Sequence, residues 1–361
     1  MSYYSAMHSI RIKAGKKAYE VIQDGGFHLG HITTYFAPAT GPRWLVATGF
    51  DLALLKDNLL GGPKTVTLIG SSAGAWRFAA WVQPEPEKSY RNLMQAYTAT
   101  IYSIKDTPAT ILQSMHSIVN AFIEDDALPF ALANKKYRLA ILTARAKNLI
   151  SSEVQWIQKA GLGICFLMNA ISSSYIYNFA QRVVFYNGAK PPQFCLNHDF
   201  RGRYIPLTEV NFKHAVIASG AIPLVIAGVR NIYGAPIGVY RDGGLTDYHL
   251  AQNYASKDDG ITLFFNHQQR IVPRWMDKKL NYRKPPDHIL DNVLMVYPSD
   301  EFIAVLPGGK VPDRVDFATF IDNPEVRIER WLQAVQLAQP LGEQFLELVE
   351  SGKIREVVTR F

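Results

Sequence analysis

The stretch KTVTLIGSSAGAWRFAAWV, residues 64–82, contains the strongest structural signal in the chain. Its first part, residues 64–69, is rich in β-branched side chains and follows a Gly-Gly-Pro turn, so it predicts a buried strand. Residues 70–74 form a short turn of glycine, serine and alanine, and residues 73–82 are apolar on almost every side, which predicts a buried helix. A strand, a tight turn and a helix in this order are typical of α/β proteins.

Further strands and helices are predicted on both sides of this unit. Compact apolar segments predict strands at 32–37, 137–143, 238–241, 261–265 and 293–297. Helical patterns and long apolar runs predict helices at 13–24, 44–55 and 208–225. Because strands alternate with helices, we expect an α/β fold with three layers, α/β/α, and a mainly parallel central sheet.

The chain is predicted to form one domain over residues 1–361. We expect its core to comprise about residues 32–82 and 131–300. Residues 84–130 are predicted to be a helical insertion, and residues 313–361 a helical C-terminal extension.

Composition is typical of a globular protein. The chain has 361 residues, of which 48% are hydrophobic and 19% charged, so a disordered or fibrous chain is excluded. The two cysteines, Cys165 and Cys195, belong to no CxxC pair, and we expect neither a disulfide framework nor a zinc site. The sequence shows no other metal-ligand spacing, so we expect no metal and no cofactor.

Charge and hydropathy indicate which partners to expect. The formal net charge is +7, but the basic residues are scattered, so we expect no nucleic-acid partner. Attraction to anionic lipid head groups stays open. Residues 161–180 carry no charge, but asparagines and serines interrupt them, which predicts a buried or interface-facing helix and not a membrane span. Residues 1–15 lack the apolar region of a secretory signal, so we expect a cytoplasmic protein, with peripheral membrane contact as an alternative.

The turn inside the quoted stretch matches GxSxG as Gly70-Ser71-Ser72-Ala73-Gly74. A serine nucleophile needs a tight turn between a strand and a helix, with small neighbours. The helix N-terminus behind it offers free N–H groups and the positive end of a dipole to a developing oxyanion. Because GSSAG lies between a predicted strand and a predicted helix, we favour Ser72 as a nucleophile over the alternative, a turn that only closes the unit.

A serine nucleophile needs a base, and the chain offers two kinds. Asp242 lies in VYRDGGLTD, residues 239–247, where two glycines free the backbone so that the carboxylate can face a neighbouring strand end. Taken alone, Asp242-Gly243 is also a common β-turn. A triad of Ser72, Asp242 and His267 is the formal alternative, since His267 follows a predicted strand.

Three segments together resemble the patatin-like phospholipases: GSSAG after a strand, ASGAIPLV at 218–225, and VYRDGGLTD at 239–247. The resemblance covers about residues 32–82 and 205–250. It implies a catalytic serine in GxSxG and a catalytic aspartate in DGG, with no histidine in the site. It also implies an upstream GGGxRG loop whose backbone N–H groups form the oxyanion hole.

The oxyanion loop departs from the family's pattern. Its best counterpart is ATGPRW, residues 39–44, in which Gly41 matches the third glycine, Arg43 matches the arginine and Trp44 replaces the last glycine. The proline in this loop has no N–H to donate. Gly25-Gly26 is an alternative, but it ends a predicted helix.

The resemblance therefore implies a serine acyl hydrolase, a lipase- or phospholipase-like esterase, in which Asp242 is the base and Ser72 carries the acyl group. The implied oxyanion and substrate-binding residues are Thr40, Gly41, Arg43 and Ala73. The expected partner is a lipid or another acyl ester.

Three alternatives stay open. The protein could be a hydrolase with a histidine triad, a non-catalytic or weakly active relative that binds lipid or a partner, or an interaction protein that docks on anionic membrane. The oligomeric state is open as well.

Overall fold

A computed structural model of the protein describes residues 9–255 and 260–361. In these ranges eleven strands form one sheet. The strands are β1 (Ile10–Ala14), β2 (Ile32–Ala37), β3 (Val66–Ser71), β4 (Tyr137–Ala146), β5 (Ala180–Tyr186), β6 (Gly202–Pro206), β7 (Val229–Arg230), β8 (Val239–Asp242), β9 (Ile261–Phe265), β10 (Val293–Pro298) and β11 (Val358–Arg360). The helices are α1 (Lys16–Gln23), α2 (Thr48–Leu55), α3 (Ala73–Trp81), α4 (Pro86–Ala99), α5 (Pro108–Phe122), α6 (Leu128–Ala133), α7 (Gln155–Ile171), α8 (Ile176–Phe179), α9 (Phe212–Ser219), α10 (Asp300–Val305), α11 (Val315–Thr319), α12 (Pro324–Leu337), α13 (Pro340–Glu350) and α14 (Ile354–Val357).

The centre of the sheet is parallel. Its strands lie in the order β11-β1-β10-β9-β2-β3-β4-β5-β6. Strands β10, β9, β2, β3 and β4 are parallel to one another, whereas β1 and β5 run antiparallel to β10 and β4. This arrangement confirms the predicted α/β class with a mainly parallel sheet.

Both faces of the sheet are covered. Leu68 and Ile69 are neighbours in β3 that point to opposite faces, and both are fully buried. The face of Leu68 packs against residues of α1–α5, α9, α12 and α13. The face of Ile69 is covered by shorter segments, including the 3-10 helices Gln193–Leu196 and Asp287–Ile289, while α7 and α8 pack over the end of β4. The fold therefore has three layers.

The predicted insertion and extension are helical, and the sheet is larger than expected. Residues 84–130 form α4, α5 and the first half of α6, and residues 313–361 contain α11–α14. The last strand, β11, pairs in parallel with β1. Because β1 and β11 belong to the sheet, the core extends beyond the predicted ranges 32–82 and 131–300.

Three helix predictions were wrong in extent. Residues 13–24 hold the end of β1 and then α1. Residues 44–55 are divided between a 3-10 helix, Gly41–Ala47, and α2. Within residues 208–225 only α9 is helical, because Gly220 follows it and Pro223 lies shortly beyond, and neither residue favours continuation of a helix.

The uncharged stretch 161–180 lies mostly in α7 and α8. One face of α7 is buried, and the opposite face is open to solvent. Within 9–255 and 260–361, no helix has both the length and the apolar character needed to cross a membrane. The prediction about a secretory signal concerns residues 1–15, of which 1–8 lie outside the described residues.

Candidate active site

Ser72 and Asp242 meet because two strands share one edge of β4. Strand β3 pairs with the first part of β4 and ends where Ser71 lies opposite Leu142. Strand β8 pairs with the next part of β4 in the antiparallel sense, and its last residue, Asp242, lies opposite Thr143. The C-terminal ends of β3 and β8 therefore abut beside β4, although 170 residues separate Ser72 from Asp242 along the chain.

Ser72 occupies a strained turn between β3 and α3. Its φ and ψ are 54° and −124°, a conformation that side-chain-bearing residues rarely adopt. The Ser219 hydroxyl accepts a hydrogen bond from the Ser72 N–H at 2.8 Å and donates to the Leu142 carbonyl at 2.6 Å. The turn is thus fixed to β4 and α9, as expected of a serine held out of its strand for nucleophilic attack.

Glycine is required on both sides of the turn. A Cβ on Gly70 would lie 2.5 Å from the Ala75 backbone, and one on Gly74 would lie 2.1 Å from the Ala37 carbonyl oxygen. Neither contact is possible, so the two glycines let α3 pack directly against β2 and β3.

The Ser72 hydroxyl donates a hydrogen bond to Asp242. The distance from Ser72 Oγ to Asp242 Oδ2 is 2.6 Å, and both residues are buried, with 5% and 7% of their surface exposed. The other carboxylate oxygen, Oδ1, accepts a hydrogen bond from the Gly244 N–H at 2.7 Å. A short hydrogen bond between a hydroxyl and a carboxylate in a buried site is suited to proton transfer.

Burial raises the pKa of Asp242 to about 6. The hydrogen bonds from Ser72 and from the Gly244 N–H oppose this shift, as do the positive charges of Arg314 and Lys278. A pKa near 6 leaves the carboxylate mostly ionised at neutral pH and makes it a stronger base than an exposed aspartate.

The glycines after Asp242 let three chain segments meet. A Cβ on Gly243 would lie 2.1 Å from the Leu142 carbonyl oxygen, and one on Gly244 would lie 2.8 Å from the Ala39 side chain. The DGG sequence therefore packs against β4 on one side and against the loop after β2 on the other. Side chains larger than glycine would move the carboxylate away from Ser72.

Three of the four predicted oxyanion residues surround Ser72. Gly41 begins its 3-10 helix with φ at +55°, a left-handed conformation that favours glycine. Thr40 and Gly41 line a small cavity beside Ser72, and Gly41 and Ala73 line a larger one. Ala73 is the first residue of α3, so its N–H has no acceptor within the helix.

Arg43, the fourth, points its charge elsewhere. Its guanidinium forms an ion pair with Asp313 and approaches the Tyr248 hydroxyl at 3.4 Å. Lys278 and Arg314 border the small cavity instead. The sequence analysis did not identify Arg314 or the role of Ser219. The available signals were the basic run Arg270–Lys279, which contains Lys278, and the segment ASGAIPLV, which contains Ser219.

Two cavities of different character meet at Ser72. The small one, about 30 Å³, is bordered by Ser72, Asp242 and the two cations. The larger one, about 340 Å³, has a mainly apolar lining supplied by α4, α5 and the region of α11. Its wall includes Trp76, Tyr97, Ile111, Met115, Ile118 and Phe317.

His267 does not complete a triad. It is buried, and its ring lies 6.0 Å from that of His249. Burial lowers the pKa of both rings, that of His249 to about 3, so neither is suited to act as a base at neutral pH. Among the hydrogen bonds of the described residues, none joins His267 to Ser72 or Asp242.

No group of three or more metal-ligating side chains is assembled within 9–255 and 260–361. No protein-family model and no curated protein sequence matches the chain.

Proposed function

We propose that the protein is a serine acyl hydrolase of the patatin-like type, which cleaves carboxylic esters through a Ser72–Asp242 dyad. The observation that carries the proposal is the 2.6 Å hydrogen bond from Ser72 Oγ to Asp242 Oδ2 at a strand-to-helix turn of GxSxG sequence.

In the first half of the reaction, Asp242 takes the hydroxyl proton while Ser72 Oγ attacks the ester carbonyl carbon. The carbonyl oxygen becomes an oxyanion, which the N–H groups of Gly41 and Ala73 stabilise. When the tetrahedral intermediate collapses, the ester C–O bond breaks and the leaving alkoxide takes the proton from Asp242. The products of this half are an alcohol and an acyl-Ser72 ester.

In the second half, water replaces the alcohol. Asp242 accepts a proton from the water molecule while the water oxygen attacks the acyl carbon. The bond from the acyl carbon to Ser72 Oγ then breaks, and Oγ takes the proton back from Asp242. The carboxylic acid is released and the dyad returns to its starting state. Because one carboxylate serves as base and then as acid in each half, no histidine is needed.

The larger cavity supports an ester substrate whose acyl part is apolar. Its volume of about 340 Å³ lies within the range of small-molecule sites, and its lining is mostly hydrophobic. Ser72 lies at its edge, so an acyl chain in the cavity would present its carbonyl carbon to Oγ. We propose a lipid or similar acyl ester as substrate.

We propose the cytoplasm as the setting. Cys165 and Cys195 are both buried free thiols, which is the usual state of cysteines in a reducing compartment.

The test is hydrolysis of p-nitrophenyl esters of increasing chain length by the wild type, Ser72→Ala and Ser71→Ala. Ser71 is the matched control, since it is the neighbouring serine and its buried hydroxyl has no partner among the described residues. We expect Ser72→Ala to lose about 10³-fold or more in kcat/KM, and Ser71→Ala to stay active. Full activity of folded Ser72→Ala would overturn the proposal.

A further inference from the structure

Two cations beside the dyad form no salt bridge with a described carboxylate, although Asp242 and Asp313 attract Lys278 through space. Lys278 and Arg314 both line the small cavity, and neither forms an ion pair within the described ranges. The neighbouring acidic residues are engaged elsewhere. Asp313 binds Arg43, and Asp277 binds Asn169 and Arg283.

The cavity lining also includes a residue with an unsatisfied hydroxyl. Thr40 is 5% exposed, and its hydroxyl has no hydrogen-bond partner among the described residues. A buried hydroxyl without a partner is costly, and native proteins usually satisfy it with water or a ligand. Thr40, Lys278 and Arg314 thus present donors and positive charge to one small space.

Asp242 does not neutralise these cations in the way that a salt bridge would. Each of its two oxygens accepts one hydrogen bond, from Ser72 Oγ and from the Gly244 N–H, and the cations act on it without forming a salt bridge. Burial also lowers the pKa of Lys278, to about 8; repulsion by Arg43 and Arg314 adds to this shift, and attraction by Asp313 and Asp242 opposes it. A partly buried ammonium without a salt-bridge partner is unfavourable, and an anion beside it would reduce that penalty.

We propose that Lys278 and Arg314 bind an anionic group on the alcohol half of the substrate, so that the enzyme prefers esters whose leaving alcohol bears a phosphate or carboxylate. This inference rests on the proposed function. Ser72 and Arg314 line both cavities, and Lys278 lines only the small one, so an acyl chain in the apolar cavity leaves the alcohol half of the ester toward Lys278, with Arg314 between the two halves.

The test compares two esters with the same acyl chain, one formed with 4-hydroxybenzoate and the other with its neutral methyl ester. We measure the kcat/KM ratio of the anionic to the neutral ester in the wild type, Lys278→Met, Arg314→Met and Lys279→Met. Lys279 is the matched control, an exposed lysine next in the chain. We expect the ratio to fall about tenfold or more in Lys278→Met and Arg314→Met, and to stay unchanged in Lys279→Met.

An equal fall of kcat/KM for both esters in Lys278→Met would overturn the anion site, because the lysine would then act only on Asp242. If the wild type hydrolyses neither ester, the proposed hydrolase fails, and calorimetric titration with octyl phosphate tests the anion site separately. Binding that weakens in Lys278→Met but not in Lys279→Met supports the site, and absence of binding to the wild type contradicts it.

A second observation concerns the outer face of α7. The face opposite the protein is apolar and exposed along the helix, at Trp156 (71% exposed), Ile164 (44%), Leu167 (64%) and Ile171 (79%). These residues follow the spacing of one helical stripe. Tyr282, 67% exposed, extends it, since its hydroxyl donates to the Ala170 carbonyl at 3.1 Å.

The helix that carries this face is attached to segments that border the site. Gln158 on α7 accepts a hydrogen bond from the Leu224 N–H at 2.6 Å, and Leu224 follows Ile222 and Pro223, which line the small cavity. Asn169 on α7 donates to Asp277 at 2.8 Å, next to Lys278. The buried side of the helix is therefore fixed to two segments that border Ser72.

The exposed charge on this face is basic. Lys159 lies exposed on the helix, whereas Arg283, near the helix end, pairs with the buried Asp277. Residues 154–180 contain no aspartate or glutamate. In a symmetric dimer the same face would meet itself and bring the two copies of Lys159 into one interface, whereas an anionic lipid surface would attract the lysine.

We propose that the exposed face of α7 docks on an anionic lipid bilayer, a property that does not depend on catalysis.

The test is co-sedimentation of Leu167→Glu, of the wild type and of a control with phosphatidylcholine vesicles, with and without phosphatidylglycerol. The control is Leu332→Glu, an exposed leucine on α12. We expect Leu167→Glu to weaken binding to anionic vesicles about tenfold and Leu332→Glu to leave it unchanged. Equal binding by all three proteins, no binding by the wild type, or a wild-type dimer that Leu167→Glu dissociates would contradict the proposal.

Discussion

Asp242 and Asp51 are both buried carboxylates, but their partners differ. Asp51 is fully buried and accepts hydrogen bonds from Arg77 Nε at 2.6 Å and from Arg77 Nη2 at 2.7 Å. The hydroxyls of Tyr35 and Tyr90 donate to it as well, at 2.7 and 2.5 Å. Asp242 accepts from a serine hydroxyl and a backbone N–H, and no ion pair reaches it within the described ranges.

The comparison shows that burial alone does not make a carboxylate a base. Asp51 has an ionic partner with bidentate geometry, so its charge is balanced and its oxygens are saturated. Asp242 has no such partner, so burial raises its pKa and its carboxylate can accept a proton more readily. The first carboxylate is suited to hold α2 against α3, and the second to accept a proton.

The largest effect is expected for Asp242→Asn. Removing the base should lower kcat/KM by about 10³-fold, because the amide cannot take the Ser72 proton. Ester hydrolysis by purified, folded protein is the measurement, with circular dichroism as the folding control. Activity within a few-fold of the wild type would show that Asp242, like Asp51, has a structural role and is not the base.

Asp51→Asn should affect stability and not chemistry. The substitution leaves the buried Arg77 charge without its partner, which is expected to lower the free energy of unfolding by about 3–5 kcal/mol. Urea unfolding measures the loss, with Asp287→Asn as a control because Asp287 and its partner Lys284 are both exposed. If Asp51→Asn unfolds like the wild type, the ion pair does not hold this part of the core.

The pH dependence should report Asp242. The base must be ionised, so activity is expected to fall as pH decreases through about 6, with about a tenfold loss per unit below that point. A pH profile of kcat/KM on a neutral ester measures this. A midpoint near 4, the ordinary value for aspartate, would mean that burial does not set the carboxylate's proton affinity.

The smallest effect is expected for His267→Gln. Since the ring is neutral and has no bond to Ser72 or Asp242 among the described residues, kcat/KM per folded molecule should stay within about twofold of the wild type. A loss of kcat/KM comparable to that of Asp242→Asn would instead support a triad that includes His267.

The sequence was informative where structure depends on neighbours along the chain. The β3-turn-α3 unit follows from β-branched residues 64–69, the small residues of GSSAG and an apolar run, all within 19 residues. The need for glycine at 243 and 244, by contrast, comes from Leu142 and Ala39, which are distant along the chain.

Other features depend on contacts between distant segments and could not be read from local patterns. Arg43 matched the family's arginine, yet Asp313 neutralises it, and Arg314 lines the site in its place. The edge strands β1 and β11 are short and gain their stability from pairing, so residues 13–24 showed only the helical pattern of α1.

The most direct test of the dyad is the reaction of the folded protein with a fluorophosphonate, followed by mass spectrometry of its peptides. We expect one adduct, on Ser72, which disappears in Ser72→Ala, forms much more slowly in Asp242→Asn and is unaffected in His267→Gln. Absence of an adduct on Ser72, or an adduct that persists in Ser72→Ala because it lies on another residue, would contradict the account.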